Sequence, residues 1–224
     1  MPLTLATPRR LAGPVTTFAA AAAAFAGLTD AASEGNGVTR VDPYIAADVL
    51  PLRTGALTAI AHTLTFLGSE IVVSVAALLL IIALLDRRGA RYAGLAVLAM
   101  ALSAALTVGI KLAVGRDRPG VADRLGPVDH TYSFPSGHTL NSTVFLGLVC
   151  LLAVPLLSRP STRLAAWAAA ALLAVGVGSS RVYLGYHWTT DVLASWMVAI
   201  ILLTVVHVAE RSIARGRSSQ AAIR

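Results

Sequence analysis

Six apolar runs constrain this chain more than anything else in it. They cover 11–28, 66–85, 92–110, 139–157, 164–179 and 192–209. Each is at or near the length of about 20 residues that a helix needs to cross a bilayer core. Backbone groups inside lipid must be satisfied within the segment, so runs of this kind are read as α-helices. Hydrophobic residues make up 56% of the 224 and charged residues only 13%, against about 25% charged in soluble domains. The expectation is an all-α, polytopic membrane protein with six transmembrane helices in one bundle. Ala and Gly are frequent in the runs, which permits close helix packing.

The basic residues orient the bundle. Arg9, Arg10, Arg87, Arg88, Arg91, Arg159, Arg163, Arg211, Arg215, Arg217 and Arg224 fall on one set of connections, with only Asp86 and Glu210 as acids. The other side carries seven basic and nine acidic residues. The positive-inside bias puts both termini in the cytoplasm and the second set of connections outside a cell (plasma) membrane. The net charge of +7 thus reports topology, and no nucleic-acid partner is expected. The single cysteine, Cys150, lies in a span and is expected to be a buried, inert thiol.

The chain divides into a first helix (1–28), an external loop with an interfacial helix (29–65), a core of five spans (66–209) and a basic cytoplasmic tail (210–224). The Ala-rich start with Ala24-Phe25-Ala26 also has the form of a cleaved secretory signal. A retained helix is favoured because the other spans make the chain a membrane resident anyway. Within the second segment, Leu57, Ile60, Ala61, Leu64 and Leu67 repeat at helical spacing. His62 interrupts them and is read as an interfacial polar residue, and His130 as a solvated loop residue.

Polar residues gather at one end of the spans. In the stretch 180–191, Ser180 and Arg181 are followed by His187 and Asp191, placed where a span would favour Val and Leu. Such groups in a membrane segment mark a functional site by default, against the plainer reading of a helix-end ion pair. His187 and Asp191 are four apart and share a helix face. A carboxylate there fixes the imidazole tautomer and supports the cation formed when the ring reacts. Arg181 carries a planar fork suited to phosphate. Lys111, Arg116 and Arg118 cluster ahead of Pro119. Before the fourth run stands Pro135-Ser136-Gly137-His138, where free helix-start amides of Ser136, Gly137 and His138 and the Ser136 hydroxyl can face an anion.

With these three elements in order, the chain resembles the type-2 phosphatidic acid phosphatase family, and in particular bacterial undecaprenyl-diphosphatase-like membrane enzymes. The family pattern is Lys-x6-Arg-Pro, then Pro-Ser-Gly-His, then Ser-Arg-x5-His-x3-Asp. Every position matches, over roughly residues 55–209. Thr189 departs from the proline that many relatives carry after His-Trp, a change confined to a turn. The resemblance implies a six-helix bundle and two-step phosphoryl transfer with no metal and no cofactor. His187 would be the nucleophile, Asp191 its orienting partner, and His138 the acid and then the base. Lys111, Arg118, Arg181, Ser136, Gly137 and Ser180 would hold the phosphate. Arg116 and Arg124 lie outside the pattern and are expected to matter much less.

The chemistry of the residues agrees, because phosphoryl transfer needs positioning and charge stabilisation that cations and helix starts can supply. The leading expectation is a lipid phosphatase acting outside the membrane through a phosphohistidine. Its candidate substrates are undecaprenyl diphosphate, phosphatidic acid and phosphatidylglycerol phosphate. One alternative is lipid-linked phosphotransfer to an acceptor other than water. Another is a transporter, which predicts charges spread through the spans, whereas here they cluster at one surface. The related vanadium haloperoxidases share the motif chemistry, but the apolar spans argue against a soluble oxidase.

Overall fold

The computed structural model describes residues 8–221. Residues 1–7 and 222–224, with part of the expected first segment and of the basic tail, lie outside the described residues. The described chain contains helices and no strands. The six apolar runs correspond to α1 (Pro8–Glu34), α4 (Glu70–Arg87), α5 (Ala90–Val114), α6 (Gly137–Leu148) with the turns that continue it to Leu156, α7 (Pro160–Tyr183) and α8 (Thr189–Ala221). Two shorter helices, α2 (Asp42–Val49) and α3 (Gly55–Leu67), precede α4. Among the described residues, five helical stretches are long and apolar enough to cross a membrane, or six with α3 and α4 taken together as one span bent by 47°.

Local chemistry sets these boundaries. Thr54 Oγ1 accepts from the Leu57 amide at 3.3 Å and starts α3. Ser69 Oγ accepts from the Val72 amide at 3.4 Å and starts α4. Both satisfy amides that the first helical turn leaves without partners. α6 gives way to a wide turn over Val149–Ala153 and a tight one over Val154–Leu156. Pro155 explains this end, since it lacks an N–H and crowds the preceding turn.

α6 is central and packs against α4, α5, α7 and α8, while α1 lies along α8 and α3 along α7. The core is built from Leu140, Val144 and Leu148 on α6 and Leu152 in the wide turn after it, with Leu84, Tyr92 and Ala96 on one side and Val198, Ala199 and Val206 on the other. Ala96 and Ala199 are wholly buried, so small side chains let the backbones approach, as lipid-embedded helix pairs require. Many Leu, Ile and Val side chains on α4, α5 and α7 face outward instead, the pattern expected where lipid is the solvent. Phe25 of α1 stacks on Phe134, centroids 6.2 Å apart, and so ties the first helix to the segment entering α6.

The segment 29–54, expected as a loop, is more structured than its polar composition suggested. It holds α2 and two short 3-10 turns, Gly37–Val41 and Leu50–Leu52. Asp42 at the start of α2 is 1% exposed. A buried carboxylate does not register in a hydrophobic pattern, because its burial depends on partners from distant parts of the chain.

Candidate active site

Two left-handed glycines deliver the polar residues to one end of the bundle. Gly115 (φ 64°) ends α5, its amide donating to the Lys111 carbonyl at 2.9 Å. The chain then turns out of the helix through Arg116, Asp117 and Arg118. Gly185 (φ 75°) follows the end of α7, and a Cβ there would press on the Asp123 carbonyl. This reversal brings the amides of Tyr186 and His187 back onto the Arg181 carbonyl, at 3.0 and 3.2 Å. Glycine serves at both points because the left-handed region is open to it without a Cβ clash.

Beyond the reversal, Trp188-Thr189-Thr190-Asp191 starts α8. Asp191 reaches back so that its Oδ2 accepts from the Trp188 amide at 3.0 Å, the side-chain half of a capping box. The same oxygen lies 3.3 Å from His187 Nδ1. On the other side of the ring, Nε2 is 3.2 Å from Nη1 of Arg118. A guanidinium can only donate, so its partner on Nε2 is a lone pair and the ring proton sits on Nδ1, toward Asp191. His187 is buried, and burial, then the charges of Arg181, Arg118 and Lys111, hold it well below the ordinary imidazole value. The ring is neutral at pH 7, with its Nε2 lone pair turned toward the cations.

Each cation is held differently. Arg118 donates from Nε to the Thr131 carbonyl at 2.7 Å and pairs with Asp129 at 2.6 Å, leaving Nη1 for Tyr186 and His187. Burial pulls its guanidinium below the usual range, while Asp129 opposes the shift. Burial works against the charge of Asp129 too. The Thr131 amide and hydroxyl, with Arg118 between them in strength, outweigh it and hold the carboxyl below its usual value. Arg181 donates to Thr65 Oγ1 at 2.7 Å and lies 4.0 Å over the Tyr186 ring. Its buried Nε has no partner among the described residues, and a buried donor left open asks for an acceptor. Lys111 donates to the Tyr132 carbonyl, one of the three bonds an ammonium can make.

His138 occupies the second position of α6, half-buried. It is within electrostatic reach of Arg181, Asp129, Arg118, Lys111 and His187. The three sequence elements therefore meet, with His138 and His187 among Lys111, Arg118 and Arg181. Among the described residues no group of three or more His, Cys, Asp or Glu is arranged to hold a metal ion.

Several expectations need correction. Ser180 is not brought to this cluster. Its hydroxyl donates to the Val177 carbonyl at 2.7 Å, inside its own helix, and the residue borders an apolar groove between α3 and α7. The Ser136 amide is not free for an anion, since it donates to the Asp191 carbonyl at 3.4 Å. Its hydroxyl remains nearby, accepting from Thr139 at 3.0 Å. Gly137 packs against Thr107, with no more than 3.1 Å between a Cβ there and the Thr107 methyl. Arg116, expected to be peripheral, bonds Asp191 Oδ1 at 2.6 Å and Asp42 Oδ2 at 2.8 Å. The motif spacing skipped it, and Asp42 carried no sequence signal beyond being an acid in a polar segment.

A bundle end of this kind defines a class: a helical membrane protein that can hold a tetrahedral oxyanion against a neutral imidazole lone pair, with a second imidazole beside it. Residues 92–213 match the PAP2 superfamily, more than half of the chain, and the protein belongs to that superfamily. It is 35% identical over 109 residues to phosphatidylglycerophosphatase B of Bacillus subtilis, covering 46% of this chain and 51% of that relative. It is 42% identical over 74 residues to the undecaprenyl-diphosphatase of Sulfolobus acidocaldarius, covering 33% of this chain and 32% of the relative. The chain thus spans about half the length of the first relative and about a third of the second in these matches. The fold is shared with the crystal structure of a transmembrane PAP2 type phosphatidylglycerolphosphate phosphatase from Bacillus subtilis. That likeness has a TM-score of 0.74 at 24% identity, over 89% of this chain and 96% of that one. It is also shared with LpxE of Aquifex aeolicus, at a TM-score of 0.58 and 22% identity over 75% and 94% of the two chains.

Proposed function

We propose that this protein hydrolyses lipid phosphates, taking a terminal phosphate from a membrane-anchored mono- or diphosphate. The observation that carries the reading is the Nε2 lone pair of a neutral His187 facing Arg118, with Asp191 on the opposite ring nitrogen. Nε2 attacks phosphorus, an N–P bond forms, and the P–O bond to the lipid breaks. Asp191 supports the positive charge that develops on the ring. His138 gives its proton to the departing oxygen, and the negative phosphate beside it favours the protonated form it needs. Water then attacks the phosphohistidine, His138 takes the water's proton, and the N–P electron pair returns to Nε2.

Lys111, Arg118 and Arg181 stabilise charge on the three outer oxygens, with the open Nε of Arg181 as one donor and the Ser136 and Gly137 turn alongside. The donor set is cationic where a metal site would be carboxylate-rich, so the chemistry is read as metal-independent. A lateral groove of about 510 Å³ between α4, α5 and α6, lined by Leu78, Met100, Thr107 and Asn141 among others, gives a lipid chain a place beside the Gly137 turn. Relatives named for phosphatidylglycerophosphate and for undecaprenyl diphosphate support this substrate class.

The site end lies opposite the arginine-rich turns around Arg88 and Arg159, so the positive-inside bias supports an active site outside the membrane. The test is release of inorganic phosphate by the purified protein from phosphatidylglycerol phosphate, phosphatidic acid and undecaprenyl diphosphate, with and without EDTA. Phosphate from at least one lipid, unaffected by the chelator, is expected. No release from any of them, or activity that returns only with added magnesium, contradicts the proposal. For orientation, cysteines replacing the exposed Val128 and Ser161 should differ in labelling by an impermeant reagent on intact cells. Labelling at 161 and not at 128 overturns the outward site.

A further inference from the structure

Behind the His187–Asp191 pair stands a second ion pair that the phosphoryl chemistry above does not use. Asp191 is wholly buried and divides its oxygens. Oδ2 serves His187 and the Trp188 amide, and Oδ1 takes Nη1 of Arg116 at 2.6 Å. Nη1 also reaches Thr190 Oγ1 at 2.7 Å, and Nη2 binds Asp42 Oδ2 at 2.8 Å. Asp42 in turn accepts from the Thr190 amide at 3.1 Å and from the Thr190 hydroxyl. Its carboxylate therefore sits on the first turn of α8, where the helix dipole favours a negative charge.

We propose that Arg116 and Asp42 are positioning residues for His187, forming a line Asp42–Arg116–Asp191–His187 that holds Asp191 as an oriented anion. The inference rests on the reading of His187 as the nucleophile. A carboxylate buried this deeply tends to protonate unless a cation and hydrogen bonds sustain its charge. Arg116 supplies both. Arg116 alone would draw Asp191 toward itself. Asp42 occupies the other arm of the guanidinium and divides that pull between two carboxylates, so Asp191 keeps charge to share with the imidazole. The fork geometry of Arg116 matters, because one residue must meet both acids at once. Asp42 lies outside the stretch 92–213 that matches the superfamily, so the segment 29–54 supplies a part of the site's support.

The experiment uses the full chain in detergent, with Asp42→Asn, Arg116→Gln, the double variant, and Asp48→Asn as a control on the same helix, where Asp48 is exposed. Turnover of a lipid phosphate is measured per folded enzyme, the folded fraction being taken from thermal unfolding. Asp42→Asn should lower kcat about tenfold and Arg116→Gln up to about a hundredfold, the range usual for partners one layer behind a reacting group, with KM unchanged within about twofold. Because Asp42 acts through Arg116, the double variant should be no slower than Arg116→Gln alone. Arg116→Lys should recover only part of the rate.

A second readout needs no turnover. The 15N signals of the His187 ring should show the proton on Nδ1 in the parent protein and a shift toward a tautomer mixture in Arg116→Gln. A purely structural role would lower the unfolding temperature and leave kcat per folded molecule and the ring signals as they are. That result, or a double variant whose loss is the product of the single losses, overturns the proposal. If the parent protein released no phosphate from any lipid, the reading of its function would fall instead. The ring signals would then still decide whether Asp42 and Arg116 set the tautomer.

Discussion

The two ends of the bundle carry the same residue types and use them differently. At the end with the short turns, Arg88 pairs with Glu210 at 3.2 Å, donates to the Leu152 carbonyl at 2.8 Å and lies 3.8 Å over the Tyr92 ring. Arg163 donates to the Leu157 and Pro155 carbonyls, closing the end of the α6 stretch. Arg87 pairs with Asp86 in the open, both side chains about three-quarters exposed. Those arginines complete helix ends. At the other end, Arg118 turns a donor to His187, Arg116 binds the carboxylates of Asp191 and Asp42, and the buried Arg181 keeps a donor with no protein acceptor among the described residues. Arg88 and Arg116 are about equally buried, with side chains 14% and 12% exposed, so an arginine's role is read from what its donors meet and what they lack.

The largest expected effect separates the ends by activity. Arg181→Lys and Arg118→Lys should each lower kcat about 10²–10³-fold, the usual loss when one transition-state donor is removed, and leave the unfolding temperature near the parent's. Arg163→Lys should leave kcat unchanged. Equal losses at all three positions would mean that only a diffuse positive field is needed. Arg88→Ala should do the reverse, lowering stability by about 1.5–3 kcal/mol, as expected when a charged hydrogen bond is lost at a mostly buried pair, with kcat per folded enzyme unaffected. Thermal unfolding beside a turnover assay reads both.

The next effect is a pH dependence of stability. The imidazole of His187 is held well below its ordinary 6.5, so the folded protein keeps it neutral while the unfolded chain takes up a proton near that value. The unfolded state then binds more protons below pH 6.5, and stability falls with falling pH until the folded value is passed. The parent should lose up to about 1.4 kcal/mol per pH unit from this residue below pH 6.5, and His187→Gln should show a shallower slope by that amount. Equal slopes would mean that the ring is not held neutral. The smallest effect is at Arg87, where Arg87→Ala should change stability by no more than about 0.5 kcal/mol.

The spans were legible because lipid imposes one rule on every residue in them. The order of the apolar runs carried over into α1 and α4 to α8, while the lengths did not: the fourth run leaves the α-helix at Leu148, and α1 and α8 extend beyond their runs. The cluster of Lys111, Arg118, His138, Arg181, His187 and Asp191 was legible because the three motifs together match the pattern of the family the chain resembles and sit at span ends. What escaped was long-range. Arg116 meets Asp42 and Asp191 across separations of 74 and 75 residues, and no local pattern announces such a meeting. Ser180 escaped for the opposite reason. It stands beside Arg181 in sequence, yet one residue along a helix turns a side chain about 100° away, here onto the Val177 carbonyl of its own helix.

The central claim is that His187 forms the bond to phosphorus and His138 handles protons. It is tested by trapping the enzyme with a labelled aryl phosphate, whose leaving group needs little protonation. His138→Ala should still take the first step, lack the base for water attack, and accumulate an acid-labile, base-stable phosphoenzyme. His187→Ala should form none. Strong labelling of His187→Ala, with none in His138→Ala, would contradict the account and make His138 the nucleophile.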